Sequence, residues 1–174
     1  GQIGDNTITN RLVPVIVSVS GPTNSLTAAT ITDIAQGDFH NMALSSTGQI
    51  HTWGANSNGQ LGNATTTQSN IPVNVSSFGS LSGQTIVAIA GGGYHTIALS
   101  STGQVHTWGK NDYGQLGDGT LINSLIPINI SELSNIIKID TGYYHTAALK
   151  SDGTVWTWGD NDFGQLNSDD DNFI

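Results

Sequence analysis

Apolar residues fall in short bursts along this chain. In its middle they run Ile71–Val75, Ile86–Ala90, Thr96–Ser100 and Val105–Trp108. Each burst is four or five residues long, rich in Val, Ile and Thr, and flanked by turn residues. Such bursts predict β-strands. Gly91-Gly92-Gly93 and Ser101-Thr102-Gly103 predict the hairpin turns between them, because Gly takes positive φ without steric cost. Val105-His106-Thr107-Trp108 breaks strict alternation, since Val105 and Trp108 fall on opposite faces. A strand covered on both faces tolerates that pattern.

The pattern recurs. Residues 34–62, 89–117 and 139–167 align without gaps, and the first two segments are identical at 20 of 29 positions. His40, His95 and His145 are spaced by 55 and 50 residues. Trp53, Trp108 and Trp158 keep that spacing, as do Gly59, Gly114 and Gly164. A proline-containing apolar element stands outside the aligned block, as VPVIV at 13–17, IPVNV at 71–75 and IPINI at 126–130. Gly1-Gln2-Ile3-Gly4 repeats the later GQLG element. One unit therefore reads GQLG, a proline-containing apolar stretch, a variable connection, then the I-A, H-x-x-A-L and T-W-G stretches. Three units occupy about 1–58, 59–113 and 114–163, and a stub at 164–174 begins another.

Four short antiparallel strands at a period of 50 to 55 residues predict an all-β fold of propeller blades, about one blade per unit. The G-x-x-H-x-x-A-L, T-W-G and N-x-x-G-Q-L-G elements resemble the regulator of chromosome condensation repeat, three times over and across nearly the whole chain. The resemblance implies a propeller of that type, seven-bladed in the family's best-known members. WD-type propellers repeat at about 40–45 residues and carry a Trp-Asp dipeptide, which is absent here. Three blades fall short of the roughly four to eight that close a ring. Either further blades of the same chain complete a six- or seven-bladed ring, or several copies do. Both ends begin a GQLG-type element, and in a head-to-tail ring of copies those elements would compete for one site. The expectation is a partial propeller, 1–174, cut from a continuous array.

Composition narrows the function. Only 10% of the 174 residues are charged, against roughly 25% in an average soluble protein. Lys and Arg total 4 against 13 acids, a net charge of −9. That balance opposes nucleic acid and anionic membranes as partners. No apolar run approaches the roughly 20 residues of a spanning helix. Without cysteine there is no disulfide framework and no thiolate chemistry. Bacterial extracellular and cytoplasmic settings both remain compatible.

No catalytic set emerges. There is no G-x-S-x-G, no phosphate-binding G-x-x-x-x-G-K-[ST], and the histidines recur with the scaffold. A residue present in every blade serves every blade, so His40, His95 and His145 are expected to hydrogen-bond turn backbone. Position 51/106/156 accepts His or Trp, which suits a partly buried strand site rather than a base. Trp53, Trp108 and Trp158 are expected to pack between blades. Asp160-Asn161-Asp162-Phe163-Gly164 places Gly one position too early for a calcium loop, and no Glu follows. No metal, cofactor or enzymatic activity is expected.

Recognition belongs at positions that vary between repeats. The connections 18–30, 76–84 and 131–135 are candidates. So are Phe39, Tyr94 and Tyr143 near the repeated histidines, and Tyr113 and Phe163 before Gly-Gln-Leu with Asp112 and Asp162 beside them. Aromatics next to acids suit a protein-binding surface, though they also fill gaps between blades. The chain therefore reads as a non-catalytic interaction scaffold with a protein partner. Two alternatives stay open. One is nucleotide exchange on a small GTPase, implied by the resemblance; the other is a secreted glycan- or surface-binding propeller.

Overall fold

A computed structural model of the chain, which describes residues 1–17, 25–27 and 29–166, contains three antiparallel sheets. The first holds β1 (Ile31–Gln36), β2 (His40–Ser45), β3 (Ile50–Gly54) and β4 (Ser69–Asn74). The second holds β5 (Ile86–Gly91), β6 (His95–Ser100), β7 (Val105–Gly109) and β8 (Ser124–Asn129). The third holds β9 (Ile136–Thr141), β10 (His145–Lys150) and β11 (Val155–Gly159). Neighbours in sequence are neighbours in the sheet, as in a meander. The inner strands β1, β5 and β9 lie side by side, and the sheets form an open arc of propeller blades. No helix among the described residues is long and apolar enough to cross a membrane.

The sheets are out of phase with the sequence units. Strand β4 carries the IPVN element and pairs with the T-W-G strand β3 of the preceding repeat, through His51 to Asn74 and Thr52 to Val73. Strand β8 closes the second sheet in the same way. The equivalent VPVIV element at 13–17 forms no strand, contrary to the sequence pattern, and Val13 and Ile16 are exposed. A strand needs an edge to pair with, and the T-W-G strands β3 and β7 of this structure pair instead with β4 and β8.

Two apolar clusters fill the spaces between sheets. One joins Met42, Leu44 and Ile50 of the first sheet to Ile89, Ala98 and Trp108 of the second. The other joins Ile97, Leu99 and Val105 of the second to Ile136, Ile139 and Ala148 of the third. The middle sheet therefore buries both faces, and every residue of β6 and β7 is buried. This explains the broken alternation: Trp108 faces the first sheet and Val105 the third. The variable connections also feed these cores. Leu81 in 76–84 and Leu133 in 131–135 are buried, and Ser80 bonds His106 at 2.7 Å. Most of the connection 18–30, the acidic run 169–171 and the stub beyond residue 166 lie outside the described residues.

Candidate functional site

The repeated residues build the seams between blades. Each GQLG element follows a T-W-G strand and folds back on it: Thr52 Oγ1 donates to the Leu61 carbonyl (2.9 Å) and Thr107 Oγ1 to that of Leu116 (2.8 Å). The glutamine carbonyl then faces the next blade. Gln60 O accepts from Thr96 Oγ1 and Trp108 Nε1, both at 2.9 Å. Gln115 O accepts from Thr146 Oγ1 (2.8 Å) and Trp158 Nε1 (3.0 Å). Gln2 O takes the same pair of contacts from Asn41 Nδ2 and Trp53 Nε1. The expected packing of the tryptophans between blades is present, joined to a hydrogen bond. Gly62 has φ +75, and a Cβ there would lie 2.7 Å from Trp108 Nε1, so only glycine admits the indole.

The histidines complete the seam, but not through turn backbone as their spacing suggested. His40 Nε2 lies 2.8 Å from Thr96 Oγ1 and His95 Nε2 lies 3.0 Å from Thr146 Oγ1, each in the neighbouring blade. The threonine hydroxyl has one proton and gives it to the glutamine carbonyl. The histidine must therefore donate, which sets the neutral Nε2–H tautomer. Gly37 and Gly92 leave room for the ring, because a Cβ at either would overlap it. Burial pushes His40 down to about 4. Burial, with the neighbouring His40 and His145, pushes His95 down to about 3. His51 and His106 are fully buried, each bonded through Nδ1 to a serine, Ser25 (2.6 Å) or Ser80 (2.7 Å). These imidazoles hold the scaffold together.

The varying residues gather elsewhere. Successive strands run in opposite directions. The β1–β2, β5–β6 and β9–β10 turns therefore open at the same end of the blades as the segments after β3, β7 and β11. That end collects Phe39, Tyr94, Tyr143 and Tyr113 into one row. Phe39 stacks on Tyr94 with ring centroids 5.1 Å apart. Tyr143 meets Tyr94 edge-on at 5.9 Å and Tyr144 at 4.3 Å, and Tyr113 lies against Tyr144 at 4.8 Å. The Lys110 ammonium sits 5.6 Å from the Tyr94 ring, 5.1 Å from Tyr144 and 6.0 Å from Tyr113, within cation–π range of all three. It also pairs with Asp112 at 3.2 Å. Partial burial pulls the ammonium down, but the Asp112 hydrogen bond and charge, with Tyr144 and Tyr113, carry it above its ordinary value. The neighbouring Tyr94 phenol, partial burial and Tyr144 together raise the Tyr143 hydroxyl.

Phe163 stands apart from the row, 93% exposed. With Asp160 and Asp162 it lines a cleft of about 500 Å³ together with Tyr113, Tyr143 and Tyr144, at the edge of the described residues. All seven sequence candidates therefore lie at one end of the blades. The sequence candidates took Tyr143 from the variable Tyr143-Tyr144 pair and left out Tyr144 and Lys110, the two residues that tie the row together. It also gave no role to Asn56 and Asn111, whose side chains pin the turns around GQLG through Leu61 and Leu116.

Comparison with known proteins matches two models described as the regulator of chromosome condensation (RCC1) repeat, one over residues 47–99 and 102–149, the other over 31–60, 86–115 and 136–165. The chain is 39% identical over 119 residues to the RCC1 domain-containing protein RUG3, mitochondrial, of Arabidopsis thaliana, covering 68% of this chain and 26% of that protein. It is 36% identical over 131 residues to the ultraviolet-B receptor UVR8 of the same plant, covering 75% and 28%. Among solved structures, Prp20p of Saccharomyces cerevisiae, studied for its binding to Gsp1p and histones, superposes with a TM-score of 0.67 at 28% identity over 78% of this chain and 32% of that one. Human WBSCR16 superposes at 0.70 and 24% identity over 76% and 33%, a likeness of fold. The chain thus spans about a quarter of the length of these two plant relatives.

Proposed function

This chain belongs to the regulator of chromosome condensation (RCC1) repeat family, and we propose that it serves as a non-catalytic scaffold binding a protein through the aromatic end of its blades. One observation carries the reading. Phe39, Tyr94, Tyr143, Tyr144 and Tyr113 form a continuous row across three blades, at positions that differ between the repeats. Rigid aromatics offer large contact area at low entropic cost, which is why they anchor interfaces. Asp162 and the net charge of −9 favour a basic partner. Protein binding by Prp20p agrees with this use of the fold. We further propose that additional repeats extend the arc toward a ring, since the chain spans only about a third of the solved relatives.

The test compares two ends of the molecule. Affinity capture from the native source uses the parent chain, a Phe39→Ala/Tyr94→Ala/Tyr113→Ala variant, and a Val87→Ser variant on an exposed strand position. A partner held by the parent and the Val87 variant, and lost from the triple variant, supports the aromatic end. Equal capture by all three overturns it. Stimulated nucleotide release from a captured GTPase would replace the scaffold reading with exchange activity.

A further inference from the structure

The residue after T-W-G is Ala55, Lys110 and Asp160 in the three repeats. Each occupies one structural position, donating its backbone N–H to the carbonyl of the aromatic before the histidine: Ala55 to Phe39, Lys110 to Tyr94, Asp160 to Tyr144. The first two steps lie over seams that are closed by a blade on either side. What stands there decides which ring faces stay open. Over the second seam the Lys110 ammonium covers Tyr94, Tyr144 and Tyr113, and Asp112 neutralises it. Over the first seam Ala55 carries no such arm. Phe39 and Tyr94 stack directly, at 5.1 Å and an interplanar angle of 27°, and Phe39 is exposed. Tyr143, also exposed, continues the row past Tyr94 at 5.9 Å.

The cation seat of the row is therefore taken from within the chain. What remains for a partner is uncharged: the Phe39–Tyr94 step, the Tyr143 ring and phenolic hydroxyls that donate hydrogen bonds. Asp38, beside Phe39, is exposed and makes no ion pair among the described residues. We infer that the Phe39–Tyr94–Tyr143 row binds a proline-rich segment of the partner protein, extended as a polyproline II helix and flanked by a lysine or arginine that pairs with Asp38. Proline rings pack on aromatic faces, and the polyproline II backbone leaves its carbonyls free for tyrosine hydroxyls. Two steps of the row, 5.1 and 5.9 Å, span one polyproline II turn of about 9.3 Å. A rigid row gains most from a ligand that is equally rigid before it binds.

The inference rests on the scaffold reading and deepens it. Its test is a titration of the isotope-labelled chain, followed by amide NMR, with an arginine-flanked decaproline and with a peptide of equal length and flanks whose prolines are replaced by glycine and serine. The control keeps the charge and removes the polyproline II helix. The expected result is saturable shifts at residues 38–40, 93–95 and 143–145 with decaproline and none with the control. Phe39→Ala and Tyr94→Ala should each weaken binding by about tenfold. Asp38→Asn should weaken it by about threefold, an effect that salt removes. Tyr94→Phe keeps the ring and should retain most of the affinity, which separates loss of the row from misfolding. Equal binding of the control, affinity indifferent to Phe39→Ala and Tyr94→Ala, or no shift at millimolar decaproline overturns the inference. The scaffold reading is tested separately. A captured partner that is lost from the Phe39→Ala/Tyr94→Ala/Tyr113→Ala variant, yet not displaced by decaproline, overturns the proline-rich ligand and keeps the aromatic end as the partner site.

Discussion

His95 and Tyr94 are adjacent in sequence and opposite in behaviour. His95 is fully buried, has the same residue in every repeat, and answers a threonine across the seam. Tyr94 has Phe39 and Tyr144 as its counterparts and meets a different neighbour at each step: a phenyl ring, then an ammonium. Across the seam each threonine hydroxyl is held between a histidine Nε2–H and a glutamine main-chain carbonyl, so removing the hydroxyl leaves a buried donor without its acceptor. The end face consists of ring contacts that tolerate exchange. One turn of four residues therefore carries both the constraint that makes blades identical and the freedom that makes their surfaces differ.

Breaking the seam should cost most. Trp108→Ala removes a fully buried indole and its bond to Gln60, and should lower stability by about 3–5 kcal/mol in denaturant melts. Acid attacks the same seam. Unfolded histidine takes up a proton near its ordinary 6.5, while His40 resists to about 4 and His95 to about 3. The unfolded chain binds more protons in that window. Stability is therefore intact above pH 6.5 and falls as pH drops toward 4, by about 1.4 kcal/mol per pH unit for each histidine. His40→Gln retains an N–H donor toward Thr96 and should flatten that slope; an unchanged slope would remove His40 from the account. Thr96→Val leaves the His40 donor buried without a partner and should cost about 1–3 kcal/mol in thermal unfolding. At the end face, Lys110→Met keeps the stem and removes the charge. Its effect on melting should stay below about 1 kcal/mol, while its effect on tyrosine fluorescence reports the bridged rings directly. A loss comparable to Thr96→Val would show that the end face shares the seam's structural role.

Much of the fold was legible because its signals are local. Thr96–Ser100 and Val105–Trp108 match β6 and β7 within one residue at each end, since apolar bursts and turn glycines mark strands directly. The 13–17 element misled because its composition matches β4 and β8 while its pairing depends on an upstream edge. The histidine's partner was hidden by distance: His40 and Thr96 are 56 residues apart, and nothing near either names the other. The aromatic candidates were legible as variable residues near invariant ones. The signal missed was the Ala55, Lys110, Asp160 series, where size and charge change at one fixed position of a strict repeat.

The amino-acid order alone determined the repeat, the strands and turns, and the acidic, cysteine-free character of the chain. Each of these is a property of residues close in sequence or of their sum. Tertiary structure decided which atoms answer the repeated His, Thr, Trp and Gln, because those partners sit on different blades. It also decided that Phe39, Tyr94, Tyr143 and Tyr113 form one surface. Strand direction sends all of their loops to a single end, and blade packing brings residues roughly fifty positions apart into ring contact.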